Sequence, residues 1–423
     1  MPDTPGPMPR APVRADERAL APDLARGVML LLIAVANTTF YLWGRESGAL
    51  NAHPAHGSLA DQVTQTLIIT GVDGRVYPMF AFLFGYGMVQ LLLRQEAAGV
   101  TRGSALALLR RRNLWLIVFG LVHALLLWTG DILGAYGLAG LVLASLFLRR
   151  SDRTLLTWAG IGTGLLVAFS ALAVVGAIGA AATDTPAQQG PDVTRVIMDT
   201  ISETDPLAAA LGRLAVWPLI VFAQGLLTLV VPVAILLGFW AARLRILEEP
   251  QRHVALLLWV SVGGIAIGWL GGLPNALHHV GVLPVPDTAS WVFSATQPTT
   301  GLAGGIGYAA LFGLFGYRLR ERARHGFVVS AVAAVGKRSL SCYLAQSVLC
   351  APVLAAWGLG LGAALGSAQM AGYAVATWLV TVLGSVLLER AGRRGPAEAL
   401  LRRLSYRRPN PGTTADVSRS TTR

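Results

Sequence analysis

The sequence predicts an all-α, polytopic integral membrane protein, a helical bundle of about ten transmembrane helices. Three observations carry this expectation. Hydrophobic residues make up 54% of the 423 residues and charged residues only 13%, about half the charged share of an ordinary soluble domain. Apolar stretches of about twenty residues, enough to cross the hydrocarbon core of a bilayer, recur along the chain. The basic residues fall in short clusters between these stretches and not along one face. The net charge of +12 is therefore read as a topology bias, and no nucleic-acid partner is expected.

Residues 1–20 are rich in proline, arginine and aspartate and read as a disordered tail, without the apolar core of a cleaved leader. The membrane domain is expected over 21–390. Its first helix starts near Pro22 and Asp23, where a proline and an acid suit a first helical turn. A polar loop, 44–61, holds His53 and His56, and 62–71 reads as a short amphipathic helix lying on the membrane surface. Further spans are expected at 75–93, 114–128, 132–148, 154–182, 214–240, 254–273, 300–317, 339–357 and 372–388. A polar excursion, 183–211, carries Asp184, Asp192, Asp199 and Asp205. Beyond it all, 391–423 is a basic tail. There Leu400, Leu401 and Leu404 share a helical face flanked by Arg402, Arg403, Arg407 and Arg408. This is either an interfacial helix on anionic lipid or a plain stop-transfer cluster.

Of the 34 Lys and Arg, all but Arg45, Arg75, Arg195 and Arg213 fall on alternate loops, the ones sharing a side with the termini. The positive-inside rule then puts both termini in the cytoplasm. Cys342 and Cys350 lie eight residues apart on one predicted helix, about 12 Å of rise, so they are not expected to bridge each other. No metal-type spacing of cysteines or histidines is present, and no metal is expected.

One stretch organises the rest. Residues 110–137 begin with three arginines, run apolar except for His123, turn at Thr129-Gly130-Asp131, and run apolar again. This is a membrane hairpin with His123 about 15 Å deep. An ionisable group inside a span is costly, which makes His123 a candidate general base. Otherwise it is an interhelical hydrogen-bonding group, with Gln90, Asn37 or Gln346 as partner. Asp131 suits a helix N-cap as well as a functional role. It lies about two turns from His123, so a direct pair needs the chain to fold back, or a third residue to bridge them. Arg75 stands among the four outward basic residues, either binding an anion or pairing with Asp73 or Asp131. Asn37, Gln90 and Gln346 read as polar groups tying helices together, and His53 and His56 as solvated loop histidines.

Several motifs occur in a fixed order: Asp23-x-x-Arg26-Gly27 with Asn37 following; FAFLFGYG at 80–87; the hairpin with His123, Gly130, Asp131 and Tyr136; GKRSLSCYLAQS at 336–347; and GPAEALLRRLSY at 395–406. Together they resemble the YeiB-like bacterial inner-membrane proteins, a domain of unknown function whose C-terminal family domain would cover about 225–408 here. The sequence departs from the family pattern at Ser341-Cys342, more often Thr-Asn, and at Ala25, more often Leu. The family is similar to the transmembrane acyltransferases. That resemblance implies transfer of an acyl group from cytoplasmic acyl-CoA, such as acetyl-CoA, to an envelope glycan or small-molecule acceptor outside, in a multi-pass protein of the bacterial inner (plasma) membrane. On this implied reaction His123, Asp131 and Arg75 form the catalytic set. Arg26 beside Asp23, and Lys337 with Arg338, would face the donor phosphates. The simpler alternative at Asp23 and Arg26 is a surface ion pair. Two other functions stay open: a transporter or exporter using the same His and Asp, and a non-catalytic membrane partner. The sequence shows no internal repeat and no matched pair of broken helices, which weighs against transport.

Overall fold

The computed structural model describes residues 20–48, 50–183, 193–320 and 326–406. The expected N-terminal tail, Asp184, Asp192, Arg407 and Arg408 therefore fall outside the described residues, Leu20 excepted. Within them the chain forms sixteen α-helices and no strand. In order these are α1 (Leu20–Thr38), α2 (Leu59–Gly71), α3 (Val76–Ala97), α4 (Arg102–Leu126), α5 (Ile132–Phe147), α6 (Asp152–Thr183), α7 (Val193–Ser202) and α8 (Pro206–Phe222). There follow α9 (Val230–Arg243), α10 (Val254–His279), α11 (Asp287–Ser290), α12 (Val292–Arg320), α13 (Phe327–Lys337), α14 (Ser339–Leu354), α15 (Ser367–Arg390) and α16 (Pro396–Ser405).

Seven of the described helical elements are long and apolar enough to cross a membrane, and the pair α13–α14, bent by 87°, would make an eighth. The expected ten include two elements that fall short of that length or composition. α5 has only 16 residues, and α4 carries Arg110, Arg111 and Arg112 before its apolar run. The bilayer-facing surface is plain on α6. Trp158, Ile161, Leu165, Phe169 and Leu172 are exposed, and only 17% of its most apolar window is buried. Apolar surface of that extent belongs against lipid tails.

Three expectations change. The surface helix expected at 62–71 is not separate, and its helix begins earlier, at Leu59. α2 runs on with α3 as one element of 39 residues, and packs Gln65, Ile68 and Ile69 against α10 and α15. The span at 214–240 is interrupted: five residues of π-helix, Ala223–Leu227, precede Leu229, whose φ is +60°. The excursion at 183–211 contains α7, whose Ile197 and Ile201 join a core cluster with Tyr41, Leu42, Trp128 and Leu354.

Close helix contacts are made where side chains are absent. A Cβ on Gly85 would meet the Ile235 carbonyl, and one on Gly238 the Phe82 carbonyl, so the FGYG motif is the α3 side of the α3–α9 contact. Gly264 and Gly268 of α10 face Gly307 and Gly304 of α12 in the same way. Small residues let membrane helices approach and gain dispersion contacts that lipid cannot replace.

Candidate active site

The α4–α5 corner builds the site. α4 stops at Leu126 because its last carbonyls are taken: the Leu127 and Trp128 amides both donate to the His123 carbonyl, and Arg213 of α8 donates to the carbonyls of Ala124 and Leu125, each at 3.0 Å. Cations at a helix C-terminus suit both the free carbonyls and the dipole. Thr129 then turns the chain, its hydroxyl 2.8 Å from that of Thr200 on α7. Asp131 caps α5, with Oδ2 accepting the Gly134 amide at 2.7 Å. The chain thus folds straight back on itself. Gly120 makes the fold-back tight, since a Cβ there would overlap Asp131 Oδ2 and the Gly134 amide.

The consequence is a direct pair: His123 Nδ1 lies 2.9 Å from Asp131 Oδ1. Asp131 thus has two contacts, one oxygen capping α5 and the other holding the imidazole. On the far side of the ring, His123 Nε2 is 2.8 Å from the hydroxyl of Ser347 on α14. None of the three is more than 8% exposed. An ionised Asp131 is an acceptor only, so the ring proton sits on Nδ1 and the Nε2 lone pair faces Ser347. An ordered carboxylate–imidazole–hydroxyl chain of this kind can take a proton from an attacking hydroxyl and return it to a leaving group. Tyr343 packs its ring 5.2 Å from His123. A cavity of about 20 Å³ lies beside Ser347, lined also by Asn37, Tyr41, Trp128, Tyr343 and Gln346. That is room for one water molecule.

Sequence reasoning missed Ser347, although it closes the 336–347 motif, and missed Arg213 as the residue that ends α4. The first of these had a usable signal in Gln346: two adjacent polar groups in one span mark a face turned toward other polar groups. Gln346 itself donates to the Leu30 carbonyl at 3.1 Å and ties α14 to α1. Gln90 is elsewhere, bonded with Tyr86 to Glu248 in the loop after α9.

Arg75 does not join His123 and Asp131. It is fully buried and spent on backbone carbonyls, those of Ile69 at 3.1 Å, Gly268 at 2.6 Å and Asp73. A Cβ on Gly272 would meet the guanidinium and one on Gly304 the Cγ of Arg75, so α10 and α12 are shaped around this side chain. A guanidinium so occupied ties α2, α3 and α10 together, and of its three nitrogens Nε alone is left without a partner. Above it lies a second His–Asp pair. His53 is 1% exposed and not solvated; its Nε2 is 2.8 Å from Asp73 Oδ2, and its ring is 5.8 Å from that of His279. His56 is exposed.

At the opposite, basic end, Arg26 pairs with Asp23 at 3.5 Å and donates to the Leu83 carbonyl at 3.1 Å, next to Gly87 of the FGYG motif. Arg112, which precedes the apolar run of α4, is partly buried. Desolvation and the nearby Arg26 lower its pKa, opposed by Tyr406 and Glu398. Lys337 and Arg338 both hold Glu389, at 2.7 and 2.6 Å, and Arg338 also donates to the Arg393 carbonyl. Glu389 offsets one of the two positive charges and ties both side chains into the fold. α16 docks on α4 and α14, burying Leu401, and its Glu398 accepts the Leu340 and Ser341 amides at the start of α14. Leu400 is left exposed.

Residues 241–408 match the family described as "Protein of unknown function (DUF418)". The uncharacterized protein YxaH of Bacillus subtilis is 28% identical over 413 residues, covering 93% of this chain and 96% of its own length. The uncharacterized protein YeiB of Escherichia coli is 27% identical over 417 residues, covering 93% of this chain and 98% of its own. A shorter match, 32% identical over 146 residues, is to an uncharacterized 39.9 kDa protein of Bacillus acidopullulyticus, covering 34% of this chain and 39% of its own.

Proposed function

The chain belongs to the YeiB-like DUF418 proteins, and from that premise we propose that it is a transmembrane acyltransferase with His123 as its general base. The observation that carries the proposal is the buried chain Asp131–His123–Ser347, with hydrogen bonds of 2.9 and 2.8 Å. A membrane protein that needed only to tie α4 to α14 would do so more cheaply with two neutral groups, because a histidine and a carboxylate both lose hydration there. Acyl transfer uses such a set: the carboxylate fixes the tautomer and the imidazole moves a proton. The donor, an acyl-CoA, would bind at the basic end, where Arg26 and Arg112 face the same region. The basic end would face the cytoplasm by the positive-inside rule. Arg75, Lys337 and Arg338 have structural roles on this view.

The test is thiol release from acetyl-CoA by purified protein in nanodiscs, comparing wild type with His123→Ala and Arg26→Ala. Release by wild type, lost in His123→Ala, with weaker CoA binding in Arg26→Ala, is expected. Folded wild type that neither binds nor cleaves acyl-CoA would sink the proposal.

A second reading, transport, is favoured by the two interrupted elements, α8–α9 at Leu229 and α13–α14 at Arg338, since transporters place broken helices at their substrate sites. It is weakened at α14, whose exposed first amides are already filled by Glu398. Proton-coupled uptake into proteoliposomes, without thioester cleavage, would favour it.

A further inference from the structure

Resting on the acyltransferase reading, we propose that Ser347 is the nucleophile, so that transfer runs through an acyl-serine and not directly from donor to acceptor. Three observations meet at this side chain. First, its hydroxyl breaks the habit of its neighbours. Hydroxyls inside apolar helices usually fold back on the carbonyl one turn earlier, as Ser145, Thr157 and Thr163 do here, onto Leu141, Arg153 and Ala159. Ser347 instead reaches across to His123 Nε2, 2.8 Å away. Second, the ring it meets is already fixed from behind by Asp131, itself fixed by Gly134. Three helices, α4, α5 and α14, thus converge on one proton path. Third, Ser347 borders the cavity of about 20 Å³, and so does Trp128. The Trp128 indole N–H is buried without an acceptor. Its nitrogen packs against the open side of Gly130, and an unpaired donor in the wall of this cavity is a partner that an incoming carbonyl oxygen could take once the cavity widens.

The step balances as follows. Ser347 Oγ forms a bond to the carbonyl carbon of the acyl thioester and the carbon–sulfur bond breaks. The hydroxyl proton passes to His123 Nε2 and on to the departing sulfur, releasing free thiol. In the second half, an acceptor hydroxyl or amine bonds to the acyl carbon and the bond to Oγ breaks. The acceptor proton passes through Nε2 back to Oγ. Asp131 remains a carboxylate throughout, facing the transient imidazolium. Neither half changes an oxidation state. The water-sized cavity must widen for an acyl group, and α7, packed over Trp128 and Thr129, is the element whose displacement would widen it.

Two measurements on the full-length protein in nanodiscs test this. Acetyl-CoA is supplied without acceptor, the mixture is quenched in acid, and the protein is mapped by mass spectrometry. In parallel, the protein is treated with a fluorophosphonate probe, which labels activated serines whatever the donor. The expected result is one acetyl group on the peptide holding Ser347, a burst of thiol near one per protein, and probe on Ser347. All three should be lost in His123→Ala and in Ser347→Ala. Ser347→Cys, which keeps a nucleophile and guards against misfolding of the alanine variant, should carry the acetyl group as a hydroxylamine-sensitive thioester. Turnover that survives in folded Ser347→Ala but not in His123→Ala would overturn the acyl-serine and leave the transferase reading standing. Probe on Ser347 with no cleavage of any acyl-CoA would keep the nucleophile and overturn transfer from CoA. No labelling and no cleavage would remove both.

Discussion

Two histidine–aspartate pairs lie in this bundle, and the distance between ring and carboxylate hardly distinguishes them: 2.9 Å for His123–Asp131 and 2.8 Å for His53–Asp73. Their surroundings do. Asp131 is inaccessible and both of its oxygens are committed, while Asp73 keeps a fifth of its side chain exposed. The second nitrogen of His123 meets a hydroxyl; that of His53 is buried without a partner, beside an equally unpartnered Nε2 on His279. The inner pair completes a carboxylate–imidazole–hydroxyl chain. The outer pair lacks the third member. It sits above Arg75, whose hydrogen bond to the Asp73 carbonyl joins it to the α2–α3 turn. A His–Asp contact is therefore weak evidence of chemistry, and the group on the far nitrogen is the discriminating observation.

The largest expected effect separates the pairs directly. Asp131→Asn should lower thiol release by roughly a thousandfold to ten-thousandfold, as loss of the tautomer-fixing carboxylate does in hydroxyl–histidine–carboxylate sites. Asp73→Asn should cost less than about tenfold, within what ordinary repositioning produces. Equal losses would break the comparison. Gly120→Ala comes next. Its new methyl group would overlap Asp131 Oδ2, and a displacement near 1 Å in the carboxylate is expected to lower the rate by about a hundredfold. Gly263→Ala, with open space around the added carbon, should leave the rate unchanged and stabilise the helix by roughly 0.5–1 kcal/mol. Arg213→Ala removes the donors on the last carbonyls of α4 and the contact of the guanidinium with the Trp357 ring. Unfolding in nanodiscs should show a loss of about 1–3 kcal/mol, the cost of unsatisfied buried groups, with a smaller fall in rate than Gly120→Ala gives.

The difference between the pairs was only partly legible in the sequence. His123 stands out because a span is otherwise apolar, and Asp131 because a Thr-Gly-Asp corner interrupts two such runs. The separation of eight residues spoke against a direct contact. Helical rise carries two such residues apart, and what brings them together is the end of α4, set by Arg213 from a helix 88 residues on. Ser347 lies 224 residues from His123, and no local period relates them. Arg75 misled for the opposite reason. One of few outward arginines looks like a binding group, and only the glycines of α10 and α12 reveal that it is enclosed, its terminal nitrogens bonded to carbonyls. The membrane class and the order of helices were readable because apolar length and loop charge are local properties. The convergence of α4, α5 and α14 is not local.

The smallest expected effect is the most exacting test of the separation. Among the described residues no hydrogen bond or ion pair has a member in common between the two pairs. Independent sites combine additively, within about 0.3–0.5 kcal/mol, whereas members of one network couple by more. The cycle is best run with His53→Ala and Ser347→Ala, since Ser347→Ala leaves the His123–Asp131 pair and the α5 cap intact. Measured as unfolding free energies in nanodiscs, the double variant should equal the sum of the singles within that margin. An interaction clearly larger would mean that the outer pair and the relay share a water path or a moving helix. His53 would then belong to the proton route, and its missing third member would be His123 itself.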